Sequence, residues 1–207
     1  MPLQPYFDIA FTPSIEALQR EKGTRQLNAA NADRTVTPAQ LGHREIEHLA
    51  ARDSVYLATV SETGWPYVQH RGGEPGFITV LGPTTIGWLE RPGNQQYLGT
   101  GNLTTDDRLA LIAVDYPART RLKLFGRGRY VPDLATEPEL AEALGAADLR
   151  NDGAIVVEVE AVAWNCPKHL TPRFTGAEVQ AAFDEHTTEL RARIAELEAE
   201  NEQLRQA

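Results

Sequence analysis

The stretch "RLALIAVDYPARTRLKLFGRGRYV" (Arg108–Val131) decides the fold class, because it contains two extended runs of different character. Leu109–Tyr116 is apolar at every position from Leu109 to Val114. A strand of that kind is covered on both faces, which suits a small closed barrel with helices or a second subunit against its outside. The second run, Arg121–Val131, alternates instead. Counting back from it, Arg119, Arg121, Lys123, Arg127 and Arg129 fall on one face, interrupted only by Phe125. Glu158 and Glu160 share a face of a later run and are available as cross-strand partners. Two acids cannot neutralise five bases, so the stripe reads either as partial ion pairing or as a binding surface on which Arg121 meets an anionic or polar ligand.

Outward from this pair the pattern stays extended. Val55–Val60, Pro66–Arg71, Phe77–Leu81 and Thr84–Leu89 are short β-rich runs separated by the turn sequences "SETGW", "GGEPG" and "LGPT", and Ala154–Trp164 is a further one. A helix-like stretch, about Asn94–Leu103, and an Ala- and Leu-rich helix after Val131 interrupt them. The expected organisation is a helical N-terminal appendage (1–53), a β domain (54–173) and a C-terminal helix (174–207). In the appendage one helix spans roughly Pro13–Leu27. A second is capped by Thr37, with Pro38 at its first position and Leu41, Ile46 and Leu49 on its apolar side.

The C-terminal helix carries a heptad pattern. With Ile194 at a, the d positions are Phe183, Leu190, Leu197 and Leu204, and Asn201 returns to a. Ile at a, Leu at d and one buried Asn favour a parallel pair in fixed register, and Arg193 with Glu198, or Glu200 with Arg205, would attract across it. A lone amphipathic helix packed on its own domain is the alternative.

The 207 residues suffice for one main core, and 42 % hydrophobic with 24 % charged residues excludes a mainly disordered chain. Net charge is −9, of which −5 lies from Phe174 onward, so general nucleic-acid backbone binding is not expected. No apolar run is long enough to span a bilayer and no basic-then-apolar start follows Met1, so a soluble, cytoplasmic protein without membrane partners is expected. One cysteine, Cys166, forms no internal disulfide, and with His169 alone it makes no zinc site. "GTGNLT" lacks the third glycine and the long helix of a dinucleotide fingerprint, and no G-x-S-x-G or H-E-x-x-H motif is present. Three constellations remain. "RPGNQQYLGTGNL" is a turn whose amides, Asn94, Gln95 and Gln96, suit either a phosphate or plain turn chemistry. "YVQHRGGEPG" runs a strand into Gly72 and Gly73, where a flat ligand or simply a wide turn is accommodated. "WNCPKH" places Trp164 at a strand end, where it can stack and donate.

The order "PYVQHRGG", "PGF", "PGNQQY", "GNL", "DDRLALIAVDYPARTRLKLFGRGRYV" and "AWNCPKHLTPR" resembles the pyridoxamine 5′-phosphate oxidase-like family of flavin-binding split barrels, over about Ser54–Arg173. Its nearest branch is that of predicted flavin-nucleotide-binding proteins. The resemblance implies a mainly β fold, a six-stranded antiparallel split β-barrel with peripheral helices, dimerising to bind FMN in two clefts between subunits. It places Gln69, His70, Arg71 and Gly72 along the flavin, with Trp88 in the same set. The Arg-Lys pair that holds the FMN phosphate in the oxidase is replaced here by Asn94, Gln95 and Gln96, so Arg91, Arg71 or Lys123 would have to substitute. Arg121 maps to a position at the flavin's polar edge, Trp164 to the tryptophan closing the last strand, and Arg173, one position out, to a following arginine. The oxidase's substrate motif is replaced by "NCPKHL", so pyridoxamine phosphate oxidation is not carried over. The expectation is a homodimeric FMN-dependent oxidoreductase of unknown substrate, using a small-molecule electron donor or acceptor, with catalytic residues not assignable and no metal. A non-catalytic flavin-binding or sensing module that recruits a partner through its helical tail is the alternative.

Overall fold

Alternation of apolar and polar side chains, closed by glycine turns, produces seven antiparallel strands in a computed structural model that describes residues 2–34, 39–91, 93–146, 153–165 and 167–206. They are β1 (Ser54–Val60), β2 (Pro66–Gly72), β3 (Thr79–Val80), β4 (Thr85–Glu90), β5 (Arg108–Asp115), β6 (Thr120–Val131) and β7 (Gly153–Asn165). The helices are α1 (Tyr6–Ala10), α2 (Pro13–Glu21), α3 (Arg25–Arg34), α4 (His43–Ala50), α5 (Leu98–Asn102), α6 (Pro138–Ala143) and α7 (Gly176–Gln206). The seven extended runs read from the sequence all form strands within a residue or two, except that Phe77–Leu81 contributes only the two residues of β3.

The sheet order is β2-β1-β5-β6-β7-β4-β3. This is the split-barrel architecture, with one correction: the expected barrel is six-stranded and closed, whereas this sheet has seven strands and does not close. β2 and β3 are its two edges, and β3, confined between the glycine turns at Gly76 and Gly82, is too short to supply a ladder for β2. The gap between β2 and the β4–β3 edge is where the site lies.

Register sets which side chains face inward. Val55 and Leu57 of β1, Leu109, Leu111 and Ala113 of β5, Leu122 and Leu124 of β6, and Ile155, Val157 and Val159 of β7 are buried in one cluster. The intervening residues of β5 are only partly buried, so the all-apolar run has one covered face and one half-covered face rather than two covered ones. A bulge falls where Phe125 pairs with Ala161 and Gly126 with Val159, leaving Glu160 outside the ladder. Its carbonyl accepts from Gln4 N at 2.8 Å instead.

The chain divides into two compact units, 1–115 with 120–168, and 116–119 with 169–207. The N-terminal segment therefore belongs to the same unit as the sheet. Leu3, Leu41 and Leu49 join the main core, and Tyr6 stacks on Phe125 with ring centroids 4.7 Å apart. The expected single helix over Pro13–Leu27 is two, α2 and α3, parted at Gly23 with φ +68°. The expected caps Thr37 and Pro38 lie outside the described residues, and α4 begins after Gly42, whose N–H donates to Glu45 Oε2 at 3.1 Å. Ile46 is exposed, and Leu49 is the side chain of α4 that enters the core. α4 is fixed to β5 by His48 Nε2 against Ala113 O (3.1 Å) and by Arg52 on Asp115 Oδ2 (2.7 Å). Burial holds the His48 imidazole below its ordinary pKa.

In the second unit α7 starts at a reciprocal cap. Glu178 N–H donates to Thr175 Oγ1 (3.2 Å), and Thr175 N–H donates to Glu178 Oε2 (2.7 Å). Among the described residues no helix is long and apolar enough to cross a membrane.

Candidate functional site

Two cavities share the wall where the sheet fails to close. One, about 470 Å³, lies among His70–Gly72 of β2, Thr79 of β3, and Trp88 and Leu89 of β4. The other, about 400 Å³, lies among Gln69–Arg71, Glu90 and the Gly93–Leu98 turn. His70, Arg71 and Arg91 line both. The structure thus brings together eight of the residues named from sequence: Gln69, His70, Arg71, Gly72, Trp88, Asn94, Gln95 and Gln96.

Strand register sorts them by face. Gln69 and Arg71 pair with Leu57 and Val55, so both point inward; His70 pairs with Tyr56 and points outward, its ring edge-on to Tyr56 at 5.7 Å. Across the gap, Trp88 pairs with Ile155 and Glu90 with Gly153. Arg71 bridges the two edges: Nη1 donates to Glu90 Oε1 at 2.5 Å. With the Gln69 amide oxygen turned toward it, the same guanidinium also donates through Nε and Nη2 at 3.3 Å. Gly99 of α5 permits this arrangement, since a Cβ there would collide with the Gln69 amide. Asn102 Nδ2 holds α5 against β1 through Thr59 Oγ1 at 2.9 Å.

Glu90 is the residue that sequence reading missed. Its side chain is 10 % exposed, one oxygen is ion-paired to Arg71, and Oε2 is buried with no hydrogen-bond partner among the described residues. Trp88 Nε1, two positions earlier on the same face, is likewise buried and unpartnered. Burial pushes the Glu90 carboxyl above its ordinary pKa, and the Arg71 guanidinium pulls it part of the way back. The available signal was the alternation in "TIGWLE", which puts Trp88 and Glu90 on one face of a strand.

The turn after β4 is built by its own side chains. Gln96 N–H donates to Asn94 Oδ1 at 3.1 Å, and Gln95 and Tyr97 both adopt left-handed backbone, φ +59° and +51°. Gly73 is explained by packing, because a Cβ there would lie 2.7 Å from Phe77 Cβ.

The other named residues line neither cavity. Lys123 lies over the Tyr6 ring, 4.8 Å from its centroid, with its pKa lowered by burial and then by Arg121 beside it. Arg121 Nη2 donates to Lys168 O at 3.4 Å. Trp164 is held by α4: Nε1 donates to Glu45 Oε1 at 2.5 Å, the Arg44 guanidinium lies 3.9 Å from its ring centroid, and His48 meets it edge-on at 4.9 Å. Arg173 lies over Tyr116, 5.1 Å from the ring centroid. The far end of the basic stripe is neutralised. Arg127 pairs with Asp107 and Glu160, both at 2.7 Å, and Arg129 grips both oxygens of Glu137. Glu158, the other expected partner, accepts from Thr84 and Thr85 instead. Cys166 lies outside the described residues, and no group of three metal-binding side chains occurs among the described ones.

The family model described as pyridoxamine 5′-phosphate oxidase matches residues 43–166, three-fifths of the chain, from the start of α4 to the end of β7. The chain belongs to the pyridoxamine 5′-phosphate oxidase family. No curated protein matches the sequence. Among solved structures, a Lactobacillus delbrueckii protein provisionally described as a pyridoxamine 5′-phosphate oxidase is 26 % identical, with TM-score 0.46 over 60 % of this chain and 93 % of its own. HupZ of Group A Streptococcus is 14 % identical, with TM-score 0.45 over 66 % and 100 %. HutZ of Vibrio cholerae, described as a haem storage protein, is 15 % identical, with TM-score 0.41 over 60 % and 94 %.

Proposed function

We propose that this pyridoxamine 5′-phosphate oxidase family member binds FMN in the gap between β2 and β4 and acts as a homodimeric FMN-dependent oxidoreductase. The observation that carries the reading is the pair of buried, unsatisfied polar atoms on β4, the donor Trp88 Nε1 and the acceptor Glu90 Oε2. Orphaned groups of this kind cost stability unless something supplies their partners. A flat ring bearing both carbonyl and imide N–H groups offers complements to each. Bound there, FMN would supply hydride or electron transfer between a reduced small molecule and an acceptor. The protein's part is orientation: Gln69 and Glu90 fix the Arg71 guanidinium, and the inner faces of β2 and β4 exclude water from one side of the gap.

The phosphate belongs at the Gly93–Leu98 turn. Arg71 is already committed to Glu90 and Gln69, and Lys123 lies on another face, so Arg91, which lines both cavities, is the cation nearest this role. One such cation and neutral amides should favour FMN over riboflavin by about 1–2 kcal/mol, less than a full Arg-Lys pair would give. Calorimetric titration of both flavins, repeated with Arg91→Ala, reads this directly. Equal affinities in the wild type would remove the phosphate assignment.

Dimerisation is supported by the half-covered outer face of the sheet, where Tyr56 and Val68 are exposed and Ala110 and Ile112 partly so. Val114 pairs with Arg121 and Ile112 with Lys123, so both cations share that face. A second copy seated on it would carry Arg121 and Lys123 into the interface. Trp164 is left out of the proposed site because α4 already occupies its indole. Yellow purified protein whose absorbance bleaches anaerobically with a nicotinamide donor supports the oxidoreductase. Tight flavin without turnover supports the sensing module, and protein that cannot be loaded with flavin refutes both.

A further inference from the structure

We propose that α7 is a self-association element, pairing with α7 of a second copy as a parallel, in-register coiled coil. No described residue of this 31-residue helix is buried, and its largest apolar side chains are exposed, from 42 % for Leu197 to 70 % for Phe183 and Leu204. A long helix gains most of its stability by burying an apolar face, and this one has such a face without a cover. The face is a seam of period seven: Phe183, Leu190, Leu197 and Leu204 at d, with Gln180, Thr187, Ile194 and Asn201 at a.

The charges identify the occupant. All three basic residues of the helix, Arg191, Arg193 and Arg205, stand at the e and g positions flanking the seam, together with Asp184, Glu198 and Glu200. The flanks are therefore neutral in sum. The other five acids, Glu178, Glu185, Glu189, Glu196 and Glu202, occupy the outward b, c and f positions. A helix of net −5 would repel a copy of itself if its charges were scattered; with the excess turned outward, the surface that meets the partner is complementary to itself. In the parallel register Arg193 faces Glu198 of the copy and Glu200 faces Arg205. Within the single chain Arg193 instead reaches Glu196 at 2.8 Å, an exposed contact that such pairing would exchange.

Charge alone does not fix the direction, since antiparallel pairing about the same seam opposes Arg191 to Glu198 and Arg193 to Glu200. Asn201 does. Antiparallel, its amide is buried against Leu190; parallel, it meets the amide of Asn201 in the copy and the two satisfy each other.

The test is disulfide trapping of the full-length chain in a Cys166→Ser background, which removes its single native cysteine. In the parallel register Leu190→Cys meets its own counterpart and should cross-link at least about tenfold faster than Glu196→Cys on the outward side. In the antiparallel arrangement the two substituted Leu190 positions are eleven residues apart along the axis, about 16 Å, too far to join. Leu204→Cys reports independently if the first substitution weakens the helix, with circular dichroism of both verifying helicity. Self-cross-linking at positions 190 and 204 supports the proposal. A disulfide formed only on mixing Leu190→Cys with Asn201→Cys would overturn it in favour of antiparallel pairing, and no seam disulfide faster than the outward control would overturn it altogether.

Discussion

Replacing Arg71 by Met should destabilise the protein by about 3–5 kcal/mol, the cost typical of stranding one partner of a buried ion pair. Arg71 is the only described side chain that satisfies Glu90: Nη1 holds Oε1, while Oε2 has no partner among the described residues. The loss should depend on pH with a defined sign. Burial already raises the Glu90 pKa, and removing the guanidinium that opposes this raises it further. Between the unfolded and the folded pKa, the native state then binds more protons than the unfolded chain. Stability therefore falls as pH rises through that window and is regained on acidification. Urea denaturation of Arg71→Met should show a larger deficit at pH 7 than at pH 5. A deficit equal at both would mean that the Glu90 carboxylate is not stranded by the change.

The second large effect is expected at Trp164. Trp164→Ala should cost about 3 kcal/mol, combining a lost aromatic body with the lost donor to Glu45. Trp164→Phe keeps most of the ring and the seat for Arg44 but not the N–H, so about 1 kcal/mol is expected. Flavin affinity of the Phe variant should match that of the wild type. If Phe and Ala variants melt alike, the indole contributes through its hydrogen bond rather than as the surface on which α4 rests. If the Phe variant binds flavin weakly, the tryptophan belongs to the flavin site after all.

Strand positions were legible in the sequence because burial on one face imposes a period of two, and glycine turns mark where each run ends. That logic located β1, β2 and β4 to β7 within two residues. It could not count the residues that find a ladder partner, so β3 came out shorter than its β-rich run and the barrel was expected closed. The face of Arg71 was not legible either: alternation from the apolar Val68 would turn Val68 inward and Gln69 and Arg71 to solvent, whereas Val68 is exposed and Gln69 and Arg71 face inward. What could not be read was their meeting with Glu90, because it depends on β4 reaching the far edge of the sheet through β7, a pairing set by tertiary contacts. The basic stripe shows the same limit. Alternation placed five cations in line and named Glu160, which does pair with Arg127, but the other quenching acids, Asp107 and Glu137, come from connections between elements that the period does not place. Trp164 was visible as an aromatic at a strand end, yet its burial under α4 joins residues 119 positions apart.

Co-crystallisation with FMN tests the central claim most directly. The flavin ring should lie between β2 and β4, beside Gly72 and against the Trp88–Glu90 face, with its phosphate at Arg91 and the Gly93–Leu98 turn. Flavin bound on another face of the sheet, or crystals that stay colourless at saturating FMN, would contradict it.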